Sequence, residues 1–137
     1  MLEIASLNDV GYSHALLGNY RQAIIYCEQA LTGAQEAGER SWESATWDSL
    51  GYIHHRLGNY RKAITCYERS LDLCRELADR YNEAVTLDHL GDVHHSAGEV
   101  GAACWAWTQA LHTLDEIGHP DADRARAKVR VRAACAG

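Results

Sequence analysis

Residues Leu17 to Ile24 read LGNYRQAI and residues Leu57 to Ile64 read LGNYRKAI, with only Gln22 and Lys62 differing. Sliding the sequence against itself by the forty residues between them aligns more: Gly11 with Gly51 and Gly91, Gly18 with Gly58 and Gly98, Ala23 with Ala63 and Ala103, Leu31 with Leu71 and Leu111. Three copies of one unit fill about 1–40, 41–80 and 81–118. A fixed period of this length marks a stacked repeat, whose copies are single supersecondary elements unable to cover their own apolar faces.

Within a copy the apolar spacing is helical. Ala23, Ile24, Cys27, Ala30, Leu31 and Ala34 fall at three- and four-residue steps, as do Ala63, Ile64, Tyr67, Leu71 and Cys74, and no strand alternation competes with them. Leu-Gly-Asn-Tyr then reads as the turn between two helices, with glycine free to take a positive φ and Asn19 or Asn59 placed to cap the second helix. The spacing predicts helices near 3–17, 20–37, 42–57, 60–78, 82–97 and 100–117. Glu36 to Arg40 and Glu76 to Arg80 place opposite charges four apart, support for extending each second helix.

The totals bound the class of protein. A chain of 137 residues, 47% hydrophobic and 23% charged, can bury a core without metal or disulfide staples, and its single proline argues against a linker. The cysteines, Cys27, Cys66, Cys74, Cys104 and Cys135, are odd in number and lack C-x-x-C spacing. That favours free thiols in a reducing compartment, so a cytoplasmic location is expected. Residues 1–20 hold no basic start followed by an apolar run, and no window reaches the ~18 apolar residues that span a bilayer, so no membrane partner is expected. Net charge is −6, split as −9 over residues 1–119 and +3 over residues 120–137. The body therefore repels nucleic acid.

The repeated residues resemble the tetratricopeptide repeat, which has leucine or an aromatic, leucine-glycine, an aromatic, then alanine and a large residue. The matching positions are Leu7, Val10, Gly11, His14, Ala23, Cys27 and Ala30 in the first copy. Trp47, Leu50, Gly51, His54, Ala63, Tyr67 and Ser70 follow in the second, and Leu87, Leu90, Gly91, His94, Ala103, Trp107 and Ala110 in the third. Small residues would let helices approach while Tyr67 and Trp107 fill the space. The copies are longer than the usual thirty-four residues and lack the proline after the second helix, so both helices should run longer. The resemblance implies an all-α solenoid of three helix-turn-helix repeats.

Beyond Gly118, HPDADRARAKVRVRAACAG is expected to form a capping helix over about 120–134, with Ala122, Ala125, Val129 and Ala133 facing inward. Its R-A-K-V-R-V-R alternation also fits a strand. Met1 aligns with Ser41, so the N-terminal face is expected to be open, as in a piece of a longer array. Long repeats closing in G-H-P-D-A-D-R-x-R resemble the C-terminal segment of large bacterial transcriptional regulators that carry a nucleotide-binding switch domain. That resemblance implies transcriptional control for a parent protein.

In such repeats the first helix of each pair lines a concave groove that holds a peptide or protein. By analogy the projecting residues are Asn8, Tyr12, Ala15 and Leu16, then Asp48, Tyr52, His55 and Arg56, then Asp88, Asp92, His95 and Ser96. We take Asn8, Tyr12, Asp48, Tyr52, His55, Arg56, Asp88, Asp92 and His95 as the candidate partner-binding set. The groove is acidic and aromatic, and lacks the Lys/Arg/Asn set with which chaperone-binding members grip a terminal carboxylate. A basic or polar partner suits it better than an acidic one.

Other chemistries find less support. Adjacent histidines such as His54-His55 and His94-His95 point about 100° apart on a helix and cannot chelate one ion together. His14, His54 and His94 stand at the aromatic place of the motif and read as packing residues, and no His-x3-His spacing favours zinc. Cys27, Cys66 and Cys104 read as small core fillers, and no G-x-S-x-G, H-E-x-x-H or phosphate-cradling glycine loop occurs, so no enzyme and no cofactor is expected. Arg124, Arg126, Lys128, Arg130 and Arg132 form the basic cluster. It suits a helix C-terminus or an intramolecular dock on an acidic groove better than nucleic acid, having no aromatics between its charges to stack bases. The reading is a noncatalytic protein- or peptide-binding module. The alternatives are a self-assembly module that dimerises through exposed repeat ends, or a sensor of a small molecule or metal.

Overall fold

The computed structural model describes residues 3–131. Among them every regular element is helical: α1 (Ile4–Leu16), α2 (Tyr20–Ala37), α3 (Arg40–Arg56), α4 (Tyr60–Glu76), α5 (Arg80–Ser96), α6 (Val100–Glu116) and α7 (Asp121–Val131). The architecture is all-α, helix pairs followed by a short C-terminal helix, and at 17 or 18 residues most helices run long, as the period requires. The strand alternative for the C-terminal segment is replaced by α7. Residues 132–134 of the expected capping helix, with Arg132 and Ala133, lie outside the described residues.

The turns explain the pairing. Gly18, Gly58 and Gly98 take φ of 83°, 79° and 80°. The next backbone N–H then folds back onto the carbonyl five residues earlier, Asn19 to His14, Asn59 to His54 and Glu99 to His94, each at 2.8 Å. This closes the carbonyls left open at a helix end. Asn19 occupies the cap position of α2 but makes no capping bond; its amide nitrogen lies 3.5 Å from His14 Nδ1 instead.

The turns between copies correct the expected boundaries. Gly38 ends α2 at φ 68° and Ala78 follows α4 at φ 54°, so Arg40 and Arg80 open the next helices and share none with Glu36 or Glu76. Arg80 reaches Glu116 at 2.9 Å and Glu83 at 3.7 Å. The side chain of Asp79 caps α5 by accepting from Asn82 N at 3.2 Å.

The chain divides into two compact units, Met1–Leu73 and Cys74–Gly137. In the first, α1 packs on α2 and α3, and α2 packs on α3. Its core gathers Ala15, Ala23, Cys27, Leu50, Ile53 and Cys66, flanked by Trp47 and Tyr52. Gly11 and Gly51 act as notches here: a Cβ on Gly11 would lie 2.6 Å from the Cys27 sulfur, and one on Gly51 2.7 Å from the Tyr67 ring. Tyr67 is 1% exposed as a result; burying a side chain of this size contributes about 1.5–3 kcal/mol. Where the small-residue position holds Ser70, its hydroxyl donates to Ser44 O at 2.9 Å, so the buried polar group is satisfied.

In the second unit α5 packs on α6 and α6 on α7. Gly91 accommodates the buried Trp107 indole as Gly51 does Tyr67, and a Cβ there would collide with the ring. Among the described side chains of α7 the buried ones are Ala122 and Ala125, which join Ala84 and Leu114. Two buried methyls contribute only ~1–2 kcal/mol, so polar contacts carry much of the hold on α7. Arg126 donates to Asp115 at 2.8 and 3.0 Å, and the Tyr81 hydroxyl donates to Asp121 at 3.0 Å.

Cys27, Cys66 and Cys74 are free and buried, as core fillers should be. Cys104 is disulfide-bonded, which corrects the expectation of free thiols throughout. Among the described residues, no helix is long and apolar enough to cross a membrane.

Candidate partner-binding faces

On each first helix the expected site positions lie four residues apart or nearly so, which stacks them on one face. In the first unit this face brings together Tyr12 and Tyr52, one repeat apart, with ring centroids 5.6 Å apart and planes at 59°. Burial, then Tyr52 and Asp48, push the Tyr12 hydroxyl above its usual pKa, keeping it a neutral donor beside an anion. His55 sets its ring edge against Tyr60 at 5.9 Å. Arg56 donates to the Tyr20 hydroxyl, which holds the guanidinium above its ordinary pKa. Asn8 is buried, and its Oδ1 has no hydrogen-bond partner among the described residues. Of the flanking positions, Leu16 is exposed, but Ala15 is 1% exposed and belongs to the core.

The second unit presents Asp88, Asp92 and His95. Lys128 of α7 donates to both carboxylate oxygens of Asp88 at 2.9 and 3.1 Å and to Asp92 Oδ1 at 3.0 Å. Trp107 Nε1 donates to the same Asp92 oxygen at 3.1 Å, and the ammonium lies 5.7 Å from the indole centroid. His95 flanks that indole at 5.6 Å. One ammonium group thus sits among two carboxylates and an aromatic face, the arrangement that charge-assisted hydrogen bonds and cation–π attraction favour. The basic C-terminal cluster does dock intramolecularly, through Lys128.

The histidines of the motif line the turns. His14 stacks on Tyr26 with centroids 5.5 Å apart and planes at 5°, and His94 Nδ1 lies 2.9 Å from Glu99 Oε1. His54 Nδ1 is buried without a partner, and burial, reinforced by Lys62, pushes its pKa below the usual value. Among the described residues no three His, Cys, Asp or Glu side chains gather as a metal-binding group. The thiols of Cys27 and Cys66 are pushed up to about 11 by burial, far from an activated nucleophile.

Two contributors escaped the sequence reading, the Trp107 indole N–H and Tyr20, and Lys128 was read only as one of a basic cluster with no acceptor named for it. Lys128 carried a usable signal, since it lies one repeat length beyond Asp88.

A family model described as Tetratricopeptide repeat matches residues 2–64 and again residues 42–103. The chain belongs to the tetratricopeptide-repeat family, whose repeats generally mediate protein–protein interaction and serve as scaffolds rather than catalysts. Among curated proteins, none matches the chain.

Proposed function

We propose that this chain is a noncatalytic module that binds a basic or polar segment of a partner protein on the first-helix faces of its repeats. On this reading Tyr12, Asp48, Tyr52, His55 and Arg56 form one contact face, and Asp88, Asp92 and His95 another, while Asn8, expected on the first face, is buried and makes no part of it. The observation that supports it most directly is the ammonium of Lys128 held by Asp88 and Asp92. The face that accepts a lysine from its own chain has the chemistry to accept one from another. The tyrosines add amphipathic contact area with little conformational entropy to lose. The closing string G-H-P-D-A-D-R-x-R supports a wider role as the interaction or sensor segment of a bacterial transcriptional regulator.

Fluorescent ten-residue peptides matched except for Lys/Arg against Glu, titrated into the full chain, test the reading. Basic peptides should bind and acidic ones should not, and Asp48→Asn with Tyr52→Ala should weaken binding about tenfold or more without loss of helical circular dichroism. Binding indifferent to peptide charge, or to both substitutions, would remove it.

A second reading, self-association, is favoured by a cavity of about 590 Å³ lined by Ile4, Leu7, Ile25, Gln29, Thr32 and Gly33. In the second copy the corresponding notch, beside Trp47 and Thr65, is bordered by Glu28, Leu31 and Thr32 of α2. A second copy of the chain seated in this cavity would cover its apolar lining. Light scattering over a concentration series decides it: a dimer dissolved by Ile25→Glu supports this reading, and a monomer throughout removes it.

A further inference from the structure

We infer that α7 is a built-in competitor for the second-unit face, with Lys128 standing in for the lysine of a partner helix that binds by exchange. The inference rests on the proposed binding role and specifies both its partner and its regulation.

Three observations carry it. The first is register. Lys128 contacts Asp88, and Tyr81 contacts Asp121, each pair one repeat length apart, as Tyr12 and Tyr52 are on the first-unit face. Helix α7 therefore lies where the first helix of a fourth copy would lie, and its side chains reach the face of α5 that the reading assigns to partners.

The second is the seat itself. Asp88 is 17% exposed and Lys128 22% exposed, so the pair is partly screened from water and stronger than a surface ion pair. Trp107 fixes one end of it by donating to Asp92. Two carboxylates facing a helix without that lysine would carry uncompensated charge, so the face selects a cation.

The third is the slightness of the rest of the hold. Among the described side chains of α7 the buried ones are alanines, Ala122 and Ala125, with Val129 partly buried, and the polar ties include Arg126 to Asp115 and Tyr81 to Asp121. A helix anchored this way is released by a competitor that offers the same ammonium and a larger apolar face. The occupant that fits is thus a partner helix presenting a lysine at the register of Lys128, and raised salt weakens latch and partner alike.

The test uses full-length protein and a fluorescein-labelled peptide of residues 120–131, PDADRARAKVRV, followed by anisotropy at low ionic strength. Lys128→Gln in the protein should bind the peptide about tenfold tighter than wild type, a change of about 1.4 kcal/mol. Adding Asp88→Asn and Asp92→Asn should erase the gain, as should glutamine in place of the peptide's own lysine. In wild type saturated with peptide, amide exchange across 121–131 should accelerate, a readout that needs no variant to fold. Equal measurable affinity for wild type and Lys128→Gln, or unchanged exchange in α7 at saturation, overturns the inference while leaving the binding role standing. Peptide binding to none of the proteins overturns both.

Discussion

Lys128 follows Asp88 by one full repeat, and its ammonium lies 2.9 Å from that carboxylate. Charges from two helices meet here because the same register position carries an acid in the third copy and a base in α7. Replacing Lys128 by Met and Asp88 by Asn, singly and together, should show the dependence. Each single change should cost about 1–2 kcal/mol, and the double should cost less than their sum by about 1 kcal/mol, read as coupling in a thermal or denaturant cycle. Additive costs would mean the two side chains are neighbours without being partners.

The glycine notches give a second prediction. Gly51→Ala and Gly91→Ala force a Cβ into the Tyr67 and Trp107 rings and should destabilise by about 1–3 kcal/mol. Trp107→Leu should partly rescue Gly91→Ala. Gly101→Ala, with nothing within 4 Å of its added Cβ, should instead stabilise by about 0.5–1 kcal/mol through helix propensity. Urea melts of the variants separate the two kinds of site.

Among the described residues Ala78 is the non-glycine residue with positive φ, 54°, at the register where the other copies carry Gly38 and Gly118. Its Cβ costs roughly 1–2 kcal/mol in this conformation, partly offset by the greater entropy that glycine loses on folding. Ala78→Gly should therefore raise stability by up to about 1 kcal/mol, or a few degrees in Tm. An unchanged or lower Tm would count against strain at this turn.

Buried thiols and a half-buried imidazole set the pH window. Cys27 and Cys66 have thiol pKa values raised from 9.0 to about 11 in the fold. Between those limits the unfolded chain has already released protons that the native chain retains, so stability is full below pH 9.0 and falls as pH rises toward about 11. His54 is shifted the other way, below 6.5, chiefly by burial. Its contribution is present above pH 6.5 and is lost as pH falls through its lowered value. Urea midpoints should thus decline on both flanks of a neutral plateau. Cys27→Ala with Cys66→Ala should flatten the alkaline flank, and dithionitrobenzoate should label neither thiol until the protein unfolds.

Much of the fold was legible because the turns repeat. LGNY at Leu17 and Leu57 marks the glycine that reverses the chain, and the forty-residue offset carries that reading into a third copy where the letters have drifted to AGEV. The starts of α3 and α5 were less legible. At the second boundary Ala78, a good helix former, takes the left-handed turn, and Glu76 and Arg80 looked like a pair within one helix. On the candidate faces the acceptors Asp88 and Asp92 could be placed by analogy with the repeat, whose first helices line the groove. Asn8 and Ala15 were placed by the same analogy yet are buried, because it fixes a direction from the helix axis and says nothing of what covers it. The bond from Trp107 to Asp92 depends on a few tenths of an ångström between two helices, which no one-dimensional pattern encodes.

The residues opposite the notches grow along the chain, from a thiol at Cys27 through a phenol at Tyr67 to an indole at Trp107. Each hairpin is thereby keyed to its own mate. A shuffled protein carrying residues 20–36 in place of 100–116 would set a small sulfur against Gly91 and leave a void, so the match of each first helix to its own second helix is a matter of steric fit even where the letters of the copies agree.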